Sequence, residues 1–166
     1  IIAATLQAEA WFAPAYEGRA DMRKLHGIAA LPLYHIFAFT VNMMLSMHTG
    51  GKNILIPNPR DLAGTLKELA KHKFHNFPAV NTLFNGLAHH PDFGAVDWSH
   101  LKVSVGGGMA VQGAVAKLWL EKTGCPIVEG YGLSETSPVV SCNPVTAKEF
   151  TGSIGVPLPS TYVKLV

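Results

Sequence analysis

Residues 129 to 138, Glu129-Gly130-Tyr131-Gly132-Leu133-Ser134-Glu135-Thr136-Ser137-Pro138, set an aromatic ring, a hydroxyl and a carboxylate on one short stretch of backbone loosened by two glycines. A purine needs a flat apolar face, a phosphate needs hydrogen-bond donors, and a magnesium ion needs a charged oxygen ligand. Tyr131, Ser134 and Glu135 can supply all three to one nucleotide, which points to chemistry on ATP. Two plainer readings stand beside that one. Ser134 can cap a short helix with Glu135 in its first turn and Tyr131 packed in the core, because capping and phosphate binding use the same amide geometry. Gly132-Leu133-Ser134-Glu135-Thr136 also resembles the G-x-S-x-G nucleophile elbow with Thr136 in place of the last glycine, which keeps a serine hydrolase as an alternative.

Two further stretches carry chemistry at the ends of apolar runs. Gly106-Gly107-Gly108-Met109 follows a strand pattern and precedes a helix pattern, where glycines let a flat ligand or a phosphate approach the main chain. The loop matches neither G-x-x-x-x-G-K-[ST] nor G-x-G-x-x-G with an acidic residue downstream, which counts against a self-contained nucleotide fold. Leu31-Pro32-Leu33-Tyr34-His35-Ile36-Phe37 places His35 at a turn between two apolar runs. A lone histidine there is most often a hydrogen-bonded core residue, and His35 gains functional weight only by sharing a face with the other two stretches. Gly152-Ser153-Ile154-Gly155-Val156-Pro157 reads as a loop leading into a last strand over residues 162–166.

The elements that must position these residues alternate along the chain. Helices are expected over 1–12, 35–48, from Asp61 through Ala70, over 80–89 and over 112–122. Strands are expected over 26–31, 53–56, 74–77, 101–105 and 126–129, with a turn-rich loop over 14–24. Asp61 can cap its helix, whose Leu62, Leu66, Leu69 and Ala70 share one face. Alternation of this kind predicts an α/β fold, a mainly parallel sheet flanked by helices. Ligands of such sheets sit beyond the carboxyl ends of the strands. His35, the glycine loop and the segment from Tyr131 all fall there, so one pocket is expected.

Composition narrows the classes. Of 166 residues, 48% are hydrophobic and 14% charged, which is apolar for a free-standing domain and suggests a piece of a larger protein. A net charge of +2, with Arg19, Arg23 and Lys24 as the densest basic cluster, gives no electrostatic case for nucleic acid. Residues 27–47 contain no Asp, Glu, Lys or Arg and approach the length of a bilayer span. Pro32, Tyr34, His35 and Asn42 interrupt the run, and a buried strand, a turn and a buried helix explain it better. Cys125 and Cys142 have neither zinc nor disulfide-framework spacing and fit a reducing cytosol.

Taken in order, LPLYHIF (31–37), GGGMA (106–110), EGYGLSETSP (129–138) and GSIGVPLPS (152–160) resemble successive motifs of the adenylate-forming superfamily. Its members are acyl-CoA synthetases, the adenylation domains of peptide synthetases, and luciferases. EGYGLSE is the most specific of these blocks. With NILIPNPRDL (53–62), the set is most similar to bacterial long-chain fatty acyl-CoA synthetases. The resemblance implies that a carboxylate attacks the α-phosphate of ATP to give an acyl-adenylate, and that coenzyme A then takes the acyl group as a thioester. A ligase or adenylation domain for another carboxylic acid, or a non-catalytic acyl- or nucleotide-binding fragment, remain the alternatives.

The same resemblance implies roles residue by residue. Gly106, Gly107, Gly108, Glu129, Gly130, Tyr131, Gly132, Leu133 and Ser134 would form the ATP/AMP site, with Tyr131 stacked on adenine. Ser134 would hydrogen-bond the α-phosphate, where most relatives carry threonine, and Glu135 would hold Mg2+. His35 would lie beside the reacting carboxylate. Phe39 falls where some relatives gate an acyl tunnel, and Met43, Met44, Val80, Phe84 and Val139 could line the cavity with it. Residues 1–166 would then be the central part of an AMP-binding domain, whose phosphate loop lies upstream and whose C-terminal domain lies downstream. The location expected is cytoplasmic, with peripheral contact at the inner face of the membrane and a homodimer both left open.

Overall fold

Successive strand residues point to opposite faces of a sheet, and in this chain both faces are apolar. Val103, Val105 and Val128 enter one core with Phe12, Phe37, Val41 and Leu45. Ile28, Phe77 and Ile127 enter the other with Leu66, Phe84 and Trp119. Strands of that kind must be covered on both sides. The computed structural model, which describes residues 1–16 and 23–165, shows that cover.

Helix α1 (Ile2–Phe12) runs into a 3-10 turn (Ala13–Ala15), and β1 (His26–Ala29) follows. Helix α2 is continuous but changes pitch, being α-helical over Ile36–Ala38, π-helical over Phe39–Met44 and α-helical again over Leu45–Thr49. Then come β2 (Lys52–Leu55), α3 (Leu62–Leu69), β3 (Asn76–Ala79), α4 (Asn81–His89), β4 (Val103–Gly106) and α5 (Gly113–Thr123). The chain continues through β5 (Ile127–Gly132), β6 (Val139–Cys142) and β7 (Val156–Pro157). The strands form one sheet in the order β2-β1-β3-β4-β5-β6-β7. Its first five strands are parallel, while β6 is antiparallel to both of its neighbours.

The expected α/β architecture is present, and Asp61 caps α3 as anticipated, its Oδ1 accepting the Gly64 N–H at 2.9 Å. Residues 27–47 form a strand, a turn and most of α2, and among the described residues no helix is long and apolar enough to cross a membrane. Several strands differ from expectation: β1 ends at Ala29 rather than 31, β4 runs Val103–Gly106 rather than 101–105, and β5 extends to Gly132 rather than 129. Strand β3 begins two residues late, because Phe74 packs edge-on against Trp98 and Phe77 before the strand starts. It also continues through Pro78, which carries no N–H; the ladder to β1 is recorded only at Gly27↔Asn76. Strand β6 has no counterpart in the expected alternation, because it returns antiparallel to β5 after only a short turn rather than a crossover helix. The expected strand over 162–166 is absent from 162–165, where Tyr162 and Leu165 are exposed, and the last strand is β7. Arg19, much of the expected loop over 14–24, and Val166 lie outside the described residues.

Candidate nucleotide and acyl site

Register aligns the strand ends. Ala79 pairs with Gly106, and Gly106 pairs with Glu129, so the loops after β4 and β5 leave the same edge of the sheet. There His35, Gly107, Gly108 and the run from Gly130 to Glu135 line one pocket of about 310 Å³. Below these polar groups its walls are apolar, with Phe37, Val41, Val105, Val139 and Cys142 among them. The pocket therefore has a polar mouth with a hydroxyl and a carboxylate over an apolar interior.

The turn before α2 sets His35. Its N–H donates to the Pro32 carbonyl at 2.9 Å, and its Nδ1 accepts the Phe37 N–H at 3.2 Å, capping the helix. In the neutral ring the proton then sits on Nε2, which leaves that nitrogen as a donor for a ligand. Two residues on, the Phe37 ring lies where a side chain on Gly107 would be: a Cβ there would stand 3.0 Å from Phe37 Cε1. The absence of a side chain at Gly107 thus lets α2 close onto the sheet.

Residues 133 to 138 form a turn closed by Thr136. Its hydroxyl accepts the Leu133 N–H at 2.9 Å and faces the carbonyls of Leu133 and Pro138 at 2.9 and 2.5 Å. Ser134–Thr136 is a 3-10 turn, and Ser137 is left-handed at φ 65°. The turn holds Ser134 and Glu135 out from the sheet. Among the described residues neither side chain makes a hydrogen bond or ion pair, so both are available to a ligand. Tyr131, at the bulge ending β5, is 44% exposed and presents a free ring rather than a core residue. No histidine or carboxylate among the described residues hydrogen-bonds Ser134, whereas a serine nucleophile needs such a base within reach. The hydrolase alternative therefore has no geometric support.

Glu129 takes a different position from its neighbours. It is buried with its side chain on the α5 side of the sheet, where Oε1 accepts the Val111 N–H at 2.8 Å. Asn81 Oδ1 accepts the next amide, Gln112 N–H, at 2.9 Å. Together they hold the glycine loop from behind. Gly106 is likewise part of the core, since a Cβ there would meet Val111 Cγ2 at 2.4 Å.

Of the residues named for an acyl cavity, Val139 lines the pocket. Val80 lines a second pocket of about 560 Å³ with Leu31, Arg60, Leu62 and Thr82, which shares His35, Phe37 and Gly108 with the first. Phe84 lies on the opposite face, fully buried, its ring 4.7 Å from Trp119 and 5.7 Å from Phe77. Phe39, Met43 and Met44 are half-buried on α2 and line neither pocket. Phe37 and Val41, one helical turn apart, take the place expected of Phe39 and Met43, and Ala8, Trp11 and Phe12 of α1 complete the wall. The i, i+4 spacing of Phe37 and Val41 is readable in the sequence, but which stripe of an all-apolar helix faces the sheet is not.

Cys142 lines the same pocket, and burial pushes its thiol up to about 11. Because the thiolate is the nucleophile, iodoacetamide at pH 7 is expected to leave Cys142 unmodified in the folded chain and to label it after denaturation. Peptide mass mapping reads both states, and rapid labelling of the folded chain would contradict the burial.

The sequence matches the AMP-binding enzyme family over residues 3–166. The chain belongs to that family. It is 48% identical over 166 residues to a long-chain-fatty-acid–CoA ligase of Haemophilus influenzae, covering 100% of this chain and 29% of the relative. It is 52% identical over 139 residues to the ligase of the same name from Escherichia coli O157:H7, covering 84% of this chain and 25% of the relative. The chain therefore spans less than a third of the length of these curated relatives. Its fold is similar to that of an anthranilate CoA ligase solved with anthranoyl-AMP, with a TM-score of 0.81 at 24% identity over 94% of this chain and 30% of that one.

Proposed function

We propose that this chain is the central part of the AMP-binding domain of an ATP-dependent long-chain fatty acid–CoA ligase. The observation that carries the reading is a single pocket: Tyr131, Ser134, Glu135 and His35 stand at the mouth of an apolar cavity suited to a hydrocarbon tail. The 48% and 52% identical relatives support the same substrate class.

In this reading Tyr131 stacks on adenine, the Gly107–Gly108 backbone borders the nucleotide, and Ser134 donates its hydroxyl proton to an α-phosphate oxygen. The Nε2–H of His35 donates to the fatty acid carboxylate and aims its attacking oxygen at the α-phosphorus. Attack forms the P–O bond of the acyl-adenylate and expels pyrophosphate. The thiol sulfur of coenzyme A, its proton lost to solvent, then attacks the acyl carbonyl, and the acyl C–O bond breaks as AMP leaves with the former carboxylate oxygen. The second pocket, which meets the first at His35, Phe37 and Gly108, offers that thiol an approach away from the adenylate.

The residues present fit Mg2+. Among the described residues no cluster of three or more His, Cys, Asp or Glu could hold a metal alone, but Glu135 is an exposed carboxylate with no ion pair among them, at the phosphate end of the pocket. Mg2+ is commonly bound by one or two carboxylates together with substrate phosphates, and bound there it would offset charge on the leaving pyrophosphate. The same reading takes the protein as cytoplasmic, with transient contact at the inner face of the membrane, where fatty acids partition.

Acid-dependent exchange of labelled pyrophosphate into ATP by the full-length enzyme tests the reading. Exchange with long-chain acids is expected; none with any fatty acid would refute it. The 166-residue chain alone is expected to form no thioester, since it spans less than a third of the length of the ligases it resembles. Tyr131→Ala should raise KM for ATP by roughly 10-fold with little change in affinity for the acid, in line with base–aromatic stacking. Equal KM values would remove the stacking role.

A further inference from the structure

Phe12 and Val41 each face two cavities. On one side lies the apolar pocket headed by Ser134 and Glu135; on the other lies a cavity of about 20 Å³ lined by Asn42, Asn53 and Asn76. Both side chains are buried, so together they separate the pocket from a much smaller cavity that carries three asparagines in its lining. Beyond the partition, Asn42 Nδ2 donates to the Ile28 carbonyl at 3.0 Å and Asn53 Nδ2 donates to the Asn42 carbonyl at 3.0 Å. The Oδ1 atoms of Asn42 and Asn76 are buried without a hydrogen-bond partner among the described residues. A hydrocarbon tail pressed through would surround those amides with methylenes and leave their polar demand unmet.

The π-helical stretch sets how Val41 is placed. Thr40, Val41 and Asn42 are consecutive and all buried. In an α-helix three consecutive residues fan over about 200°, too wide an arc for one packed face. The wider turn of a π-helix, closed i→i+5, brings them closer together. Thr40 Oγ1 reaches the Ser137 carbonyl at 3.5 Å, on the turn that carries Ser134 and Glu135, while Asn42 is tied to β1. Val41 is held between these two anchors, at a set distance from the reacting end of the pocket.

We propose that Phe12 and Val41 form the end wall of the acyl pocket and set the longest fatty acid tail that the site accepts. The inference rests on the proposed fatty acid–CoA ligase reading and deepens it. A wall at this place makes chain length a matter of two side chains. Phe39 and Met43, by contrast, can change without moving the limit.

The test is kcat/KM for pyrophosphate exchange across a series of saturated fatty acids, with wild-type full-length enzyme and with Val41→Phe, Val41→Ala and Phe12→Leu. Val41→Phe is expected to lower kcat/KM on the longest acid accepted by about 10-fold or more relative to shorter acids, the scale on which an apolar pocket rejects excess length. Val41→Ala and Phe12→Leu, which free space on the pocket side of the wall, are expected to move the limit the other way by about one carbon, raising kcat/KM about 10-fold on the first acid beyond it. Thermal midpoints identify any variant that fails to fold, and the opposite-sense substitutions at Val41 keep the comparison decisive. A uniform loss at every length, or an unmoved profile in folded variants, would overturn the wall alone. No exchange by the wild type with any acid would overturn the proposed function and the wall with it.

Discussion

Glu135→Ala in the full-length enzyme is expected to cut acid-dependent pyrophosphate exchange by about 100-fold or more, the scale on which a group that stabilises developing charge contributes. The carboxylate is exposed, makes no ion pair among the described residues, and stands at the mouth of the pocket beside Ser134. It therefore contributes nothing visible to the fold, so the thermal midpoint should stay within the small range of surface substitutions. The loss should carry a signature: the Mg2+ concentration for half-maximal rate rises, because phosphate oxygens alone then hold the ion. Glu135→Gln, which keeps the shape and loses the charge, should behave like the alanine variant. A fall in stability with an unchanged Mg2+ requirement would assign Glu135 to the scaffold instead.

Gly132→Ala should be nearly as damaging, by a different route. A Cβ at this position would stand 1.8 Å from the Pro138 carbonyl oxygen and 2.6 Å from its carbon. Both are backbone atoms of the neighbouring strand's entry, so no side-chain rotation relieves the clash. The turn must open, and Leu133 N–H then loses its two acceptors, Pro138 O at 3.0 Å and Thr136 Oγ1 at 2.9 Å. Overpacking typically costs about 1–3 kcal/mol, and a similar loss of stability is expected. Displacement of Ser134 and Glu135 should lower exchange by about 100-fold, since even 1 Å of misplacement is severe for a positioned group. Gly94→Ala, where a Cβ would meet nothing within 4 Å, is the control and should leave both readouts near wild type. Equal behaviour of the two variants would show that the turn tolerates opening.

Much of this protein was legible in its sequence because the signals were local. Apolar runs, their punctuation by Gly50, Pro57 and Gly124, and the capping Asp61 are properties of a few adjacent residues, and they place most helices and strands. Local spacing likewise put Tyr131, Ser134 and Glu135 at one strand end, and the strand–helix order put His35 and Gly107 at the same sheet edge. Only the folded chain decided which way each side chain faces. Glu129 and Tyr131 belong to one motif, yet a buried amide partner, the Val111 N–H, holds Glu129 behind the glycine loop while Tyr131 stays open at the strand end. Phe84 and Phe37 are equally apolar, but α4 and α2 cover opposite faces, so Phe84 joins Trp119 while Phe37 enters the pocket. The choice among Phe37, Phe39, Val41 and Met43 on α2 depended on a π-helical turn that rotates the packed stripe. Spacing along a chain fixes relations within one element; which face meets which partner depends on contacts between residues far apart in sequence, and those exist only once the sheet is covered.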